Sequence, residues 1–520
     1  MSKLVVPSRR GFLRAAGAGV AALSMPGFVA GCAKSPEMAA AADPAAAPPP
    51  NPFSEWFGID ESVIRQVMAE LSSRGADFAD LYFQHSRFHS LSMEDGIISK
   101  AYSEIDQGVG LRVVVGDQVG YAFTEDLTLE SMLGAARTAA AIAQGQAVVP
   151  PQQFTYADAG DRYLIATPWS SVGVDAKLPL VQKVADLTKG LDPAVDKVSV
   201  AYTDYDERVI VASLDGKVVV DSRPMTRLFI NVIAKKGDEV QSNGSNIAAR
   251  EGIDWYTDER LATVAKEAVD RTMILFEAVR PKAGEMPVVL AAGASGILLH
   301  EAIGHGMEAD FNRKGTSIYS DMIGKNVAAD FVTIVDDGTQ ANQRGALNVD
   351  DEGTPAGKTN LVENGVLKTY LHDQISARHY GLAPTGSGRR ESFRHVVMPR
   401  MRSTYMENGP HTRDEIVASV KNGIIAETYT NGQVAIGAGD FTFYIKNGWL
   451  IEDGKVTAPI KDVNIIGNGP ESLQRITMVA DDMKLDTGGW TCGKDGQSVP
   501  VSQGMPTVLV SKMTVGGADA

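Results

Sequence analysis

The chain has 520 residues and is acidic, with 64 Asp and Glu against 49 Lys and Arg and a formal charge of −15. With no basic run in its folded part, that balance argues against a nucleic-acid binder, which works by neutralising phosphates. The only cysteines, Cys32 and Cys492, exclude a disulfide scaffold, while 52 glycines exceed the usual share of about 7% and point to many turns and much antiparallel sheet.

Residues 1–31 read as an export signal. The twin arginines Arg9 and Arg10 precede Phe12 and Leu13 and an Ala/Gly-rich run. That run is weaker and shorter than a membrane span, which needs about 20 strongly apolar residues. It ends in "VAGC", small residues before a cysteine, which resembles a lipobox. Cys32 is therefore the expected lipidation site and new N-terminus, with an ordinary cleaved signal as the alternative. Residues 32–52 are a Pro/Ala tether too poor in apolar bulk to fold. The chain is expected to leave by the twin-arginine route and to sit in the periplasm or another extracytoplasmic space, held to a membrane by lipid alone.

Residues 53–150 read as a small α+β domain. An amphipathic helix is expected over 60–75, capped by Asp60, with Val63, Ile64, Val67, Met68 and Leu71 on one face. "ADLYFQHS" is a strand, "LRVVVGDQVGYAF" a hairpin turning at Gly116-Asp117, and 129–143 a second helix. Proline pairs and lost periodicity place a boundary in 145–175. A β-rich middle domain over 170–280 has helices near 178–191 and 258–278 around the strand runs "KVSVAYTDYD", "RVIVASLDGKVVVDS" and "RLFINVIAKKGDEVQS". Residues 285–517 read as short strands and glycine turns, a large, mostly antiparallel β domain. The fold class is α+β.

The third segment opens with "MPVVLAAGASGILLHEAIGHG", a strand, a glycine turn and a helix, with Ser295 placed to cap it. His300 and His305 are five residues apart, which in a regular helix sets them about 140° apart and unable to share a metal. A single π-turn, or a helix ending at Gly304, brings the rings together. A satisfied, half-buried His300 with His305 at the surface is the plain alternative. Against it stand Glu301 beside His300, where a general base would sit, and the thiol of Cys492 in the glycine-rich "GGWTCGKDGQSVP", since His, His and Cys are all zinc donors. An unpaired cysteine in an oxidising compartment also calls for burial or a metal.

"HEAIGHGMEAD" together with "CGKDGQSVPVSQGMP" resembles the TldD/TldE (PmbA) family of metalloproteases, in particular its TldD-like, catalytically equipped members. "LNVDDEGTPAGKTNLVENGVLKTYLHD", "GRRESFRHVVMPRM" and "GWLIEDGKVTAPIKDVNIIGNG" agree with it. The resemblance spans about 75 to 515; the export signal and tether lie outside it and depart from members that look cytoplasmic. It implies zinc held by His300, His305 and Cys492, and Glu301 as the base that takes a proton from the attacking water. It also implies unstructured peptides as substrates, and assembly as a homodimer or with a TldE-like partner.

Glu308 stands as an alternative third ligand, or with Asp310 as a partner orienting a histidine. Asp350, Asp351 and Glu352 lack EF-hand spacing and read as a structural turn. His395, Arg389, Arg390, Tyr405 and Lys494 are candidate oxyanion donors, each more simply explained by packing or solvation. Two other functions remain open at this stage: a lipid-anchored peptide-binding or assembly subunit with a structural zinc, and a cysteine hydrolase using Cys492 with a histidine.

Overall fold

The computed structural model describes residues 51–143, 145, 148–435 and 437–517. Arg9, Arg10 and Cys32, on which the export and lipidation expectations rest, lie outside the described residues. Among the described residues no helix is long and apolar enough to cross a membrane.

The first two segments pool their strands in one seven-stranded sheet. Phe78–Glu94 is its hinge element. It pairs antiparallel with Ile97–Val115 on one side and with Val195–Ser213 on the other, and Lys217–Lys236 and Glu239–Ala249 extend the sheet further. The helices are Pro52–Phe57, Glu61–Leu71, Leu129–Ile142, Val174–Gly190 and Asp258–Met273. They bury the sheet face that carries Leu81, Leu111, Ala212, Leu91, Tyr202 and Leu228. Strand alternation sends Tyr82, Gln84, Ser86 and Phe88 to the opposite face, where Phe393 of the third segment packs on Tyr82 and Gln84 accepts the Phe393 N–H.

Several local expectations change. Asp60 precedes the helix Glu61–Leu71 but makes no side-chain cap bond. The last helix of the middle segment is α-helical only to Met273 and ends in a 3-10 turn. "VAYTDYDERVIVAS" is one continuous strand, not two runs with a break. At its acid-rich centre Asp204 is buried, ion-paired with Lys177 at 2.7 Å and hydrogen-bonded to His89 Nδ1 at 2.9 Å, so its charge is accommodated inside the sheet.

The third segment holds a sheet whose pairings close on themselves. Asn422–Ala435 bonds Gly284–Leu290, which bonds Val508–Gly516, then Val463–Asn468, then Asp440–Glu452, which returns to Asn422–Ala435. The apolar interior of this ring includes Val288, Leu290, Ile424, Phe443, Ile465 and Val510. A second, six-stranded sheet contains Ile334–Asp337, Ser403–Met406 and Ser502–Met505. The helix bearing the histidines emerges from Gly284–Leu290 and lodges between these two sheets.

Buried ion pairs join the third segment to the first sheet. Arg112 bonds Asp80 and, at 2.7 Å, Glu352; Arg223 bonds Asp221 at 2.8 Å and Asp351 at 2.6 Å. The Asp350 carboxylate accepts the backbone N–H groups of Glu352, Thr354 and Gly388. The acidic run is thus a structural turn, with Gly353 at φ +74° completing it.

Candidate metal centre

The histidine helix begins as one α-turn, Gly296–Leu299, and then widens into a π-helix over His300–Gly304. The His305 N–H donates to His300 O, an i→i+5 bond. This wider turn rotates the second ring back toward the first, leaving ring centroids 5.1 Å apart at 84°. Glycine is needed at two points. A Cβ on Gly296 would fall 2.4 Å from Gly504 N, and one on Gly304 2.0 Å from Met401 Sδ. Ser295 does not cap with its side chain; its hydroxyl meets Tyr429 Oη at 3.0 Å.

Cys492 lies on a strand, not in an open loop. Thr491–Lys494 pairs with Gln497–Pro500 through Asp495 at φ +48° and Gly496 at φ +75°, the two positive-φ residues of a tight hairpin turn. Alternation then buries both Cys492 and Lys494.

The structure brings Cys492 to His300 and His305 from 187 or more residues further along the chain, with one donor atom from each within 4.8 Å of the others. His305 Nε2 is 3.5 Å from Cys492 Sγ. Glu308 Oε2 lies 3.0 Å from His305 Nδ1. Burial lowers the His305 pKa, but Glu308 and Cys492 outweigh it and hold the imidazole well above its ordinary value; with Nε2 given to a metal, the Nδ1 N–H would still donate to that carboxylate. Burial raises the Glu308 carboxyl, but Lys494 and His305 outweigh it and hold the group at about 2. Burial likewise opposes a Cys492 thiolate, yet the two imidazoles bring that thiol well below its ordinary value. A deprotonated thiol is the form that ligates metal.

The residues fit a metal on two grounds. His300 Nδ1 is buried without a hydrogen-bond partner, and a thiolate with two imidazoles is a zinc-type donor set. Glu308 is engaged by His305 and, at 3.1 Å, by Lys494, the role of an orienting carboxylate. Glu301 is half-buried.

The candidate oxyanion donors are mostly committed elsewhere. Lys494 Nζ bonds Asp310 at 2.7 Å and Pro399 O at 3.0 Å. Arg390 bonds Asp80 at 3.2 Å and Tyr405 bonds Asp337 at 3.2 Å. Arg389 bonds Met401 O and Pro500 O, and His395 Nδ1 meets Ser392 Oγ at 2.9 Å. Two supports escaped the sequence reading. Lys494 clamps Glu308, and Arg400 donates to Cys492 O at 2.6 Å. The period-2 spacing of Lys494 from Cys492 on one strand was a signal for the first; nothing in the sequence marked Arg400.

Two of these donors sit on a helix held between a closed strand ring and a second sheet and the third on the Cys492 hairpin, and together they could hold one metal ion. Sequence comparison agrees: PmbA/TldA metallopeptidase domain 1 matches residues 79–143, the central domain 167–276 and the C-terminal domain 283–517. The chain belongs to the TldD/PmbA metalloprotease family. It is 41% identical over 468 residues to the metalloprotease TldD homolog of Haemophilus influenzae, covering 89% of this chain and 97% of that protein. It is 28% identical to the zinc metalloprotease TldD homolog of Saccharolobus solfataricus, covering 85% and 97%. The fold matches the crystal structure of TldE from Thermococcus kodakarensis with a TM-score of 0.68 at 19% identity, covering 88% of this chain and all of that one.

Proposed function

We propose that this member of the family is a zinc-dependent peptidase acting on unstructured peptides, with His300, His305 and Cys492 as ligands and Glu301 as general base. The observation that carries this reading is the π-turn, which makes an otherwise incompatible five-residue histidine spacing compatible with one ion shared with Cys492. The zinc in the name of the Saccharolobus solfataricus relative supports the choice of metal. Zinc held there supplies a Lewis acid that polarises a peptide carbonyl and acidifies water. Glu301 receives the proton of the attacking water and delivers it to the departing amine. Glu308 and Lys494 keep His305 oriented, and Arg400 holds the Cys492 backbone.

In this reading the protein works as a homodimer or beside a TldE-like chain, the partnership that its structural similarity to a TldE supports. The 3.5 Å His305–Cys492 contact also suits a thiol nucleophile beside a base, so the test must separate metal from thiol chemistry.

Peptide hydrolysis is measured for the protein alone and mixed with a TldE-like chain, before and after 1,10-phenanthroline, and for Glu301→Gln. Hydrolysis lost on chelation, restored by zinc and reduced roughly 10²–10⁴-fold in the variant at unchanged zinc content is the expected result. Activity that survives chelation and dies with iodoacetamide would move the reading to Cys492.

A further inference from the structure

Behind the Cys492 hairpin lies a cavity of about 600 Å³. One wall is the sheet face left open by the helices; the register sets Asp106, Ser86, Glu207 and Arg223 in one row across four strands. The hairpin residues Thr491, Ser498 and Pro500 and the segment around Arg389 form the other wall.

Six arginines line it. Three are matched by carboxylates: Arg223 by Asp221 and Asp351, Arg390 by Asp80, and Arg394 by Asp106 and Glu125. The other three, Arg250, Arg344 and Arg389, meet only neutral groups. Arg344 donates to Trp490 O at 2.8 Å and Thr491 Oγ1 at 3.3 Å. Arg389 donates to Met401 O at 2.6 Å and Pro500 O at 2.7 Å. Arg250 reaches Pro224 O at 3.4 Å and packs on the Tyr163 ring, and its Nε is buried with no partner.

None of the remaining acids of the wall bonds these three arginines. Glu207 accepts from Gln84 and lies 3.8 Å from Arg223, while burial outweighs the arginines and favours its neutral form. Glu391 accepts the Ser498 N–H, and Glu104 accepts from Tyr102. Burial and repulsion from Arg227 and Arg250 press Arg344 down to about 10, and burial with repulsion from Arg400 and Arg250 outweighs the attraction of Asp351 and presses Arg389 to about 9. Uncompensated buried charge is costly, and an arriving anion relieves it.

The cavity also has a position relative to the chemistry. Thr491 faces Pro500 in the hairpin register, one step from the Cys492–Val499 pair. Arg344 and Arg389 therefore grip the hairpin next to the thiol, on the order of 10 Å from it, or about three residues of extended peptide.

We propose that this cavity binds a carboxylate of the peptide substrate, about three residues from the scissile bond, through Arg344, Arg389 and Arg250. The inference rests on the peptidase reading, but its test does not require turnover. Guanidinium forks match carboxylates in geometry as well as charge. The carboxylate has two possible sources, a free C-terminus or an Asp or Glu side chain.

The experiment uses the zinc-loaded full-length protein carrying Glu301→Gln and fluorescence-anisotropy titration with four labelled peptides of one sequence. These combine a free or amidated C-terminus with Glu or Gln at a single internal position. The expected result is a roughly 10- to 100-fold tighter Kd for the carboxylate-bearing member, the range for a charge-assisted bond. A preference that follows the C-terminus assigns the α-carboxylate; one that follows Glu assigns the side chain. Adding Arg344→Gln collapses that ratio toward one, whereas Arg344→Lys, which keeps the charge, retains a preference and shows that the site remains folded. Equal affinity for all four peptides, no binding of any, or a ratio unmoved by Arg344→Gln overturns the proposal. Wild-type protein that hydrolyses no peptide while the binding preference holds would sink the peptidase reading and leave the carboxylate site standing.

Discussion

Each of His300, His305 and Cys492 is an ordinary residue alone, and its value lies in what surrounds it. Glu308 decides which nitrogen of His305 faces the thiol, and Lys494 decides where Glu308 points. Glu308→Gln keeps the shape but removes the charge that orients and polarises the ring. Zinc affinity, measured by competition with a chromophoric chelator, should fall about 10- to 100-fold, the usual cost of losing such a support. An affinity equal to wild type would show that Glu308 merely fills space. The donors were legible in the sequence because histidine and cysteine are few and chemically marked. The clamp was less legible: charged residues two or three positions from a ligand are common, and only the fold shows that Lys494 is buried between Glu308, Asp310 and the Phe311 ring.

At the scale of the element, the π-helix makes the site. Sequence spacing demanded an irregularity between His300 and His305, and Gly304 was the residue able to permit it. The structure adds a second reason for that glycine, the thioether of Met401, itself fully buried. Gly304→Ala should force the helix and Met401 apart, lower stability by about 1–3 kcal/mol as overpacking does, and reduce zinc bound per chain. Thermal unfolding and metal analysis of the variant check this; an unchanged Tm with full zinc would contradict it. Elements with clean periodicity were readable, such as Glu61–Leu71 and the hairpin at Gly116-Asp117. The strand Val195–Ser213 was legible as two runs, and only the structure joins them through the acidic centre, where Lys177 and His89 hold Asp204 and Arg223 lies 3.8 Å from Glu207.

At the scale of the molecule, segments that differ in sequence pattern are joined by structure that pattern does not reveal. The first two share one sheet, since edge pairing of Phe78–Glu94 with Val195–Ser213 depends on partners more than 100 residues apart. The third is fastened to that sheet by buried Asp–Arg and Glu–Arg pairs whose members sit up to 310 residues apart. Such pairs are expensive to break one partner at a time, so the hairpin bearing Cys492 and the sheet face behind it form one supported unit, with the cavity between them.

The central claim, that His300, His305 and Cys492 hold one zinc ion, is tested most directly by zinc K-edge X-ray absorption of the purified protein beside Cys492→Ser. The account predicts a wild-type shell with one sulfur near 2.3 Å and two nitrogens at about 2.0–2.1 Å, and loss of the sulfur contribution in the variant. A wild-type spectrum without sulfur, or one that Cys492→Ser leaves unchanged, would contradict it.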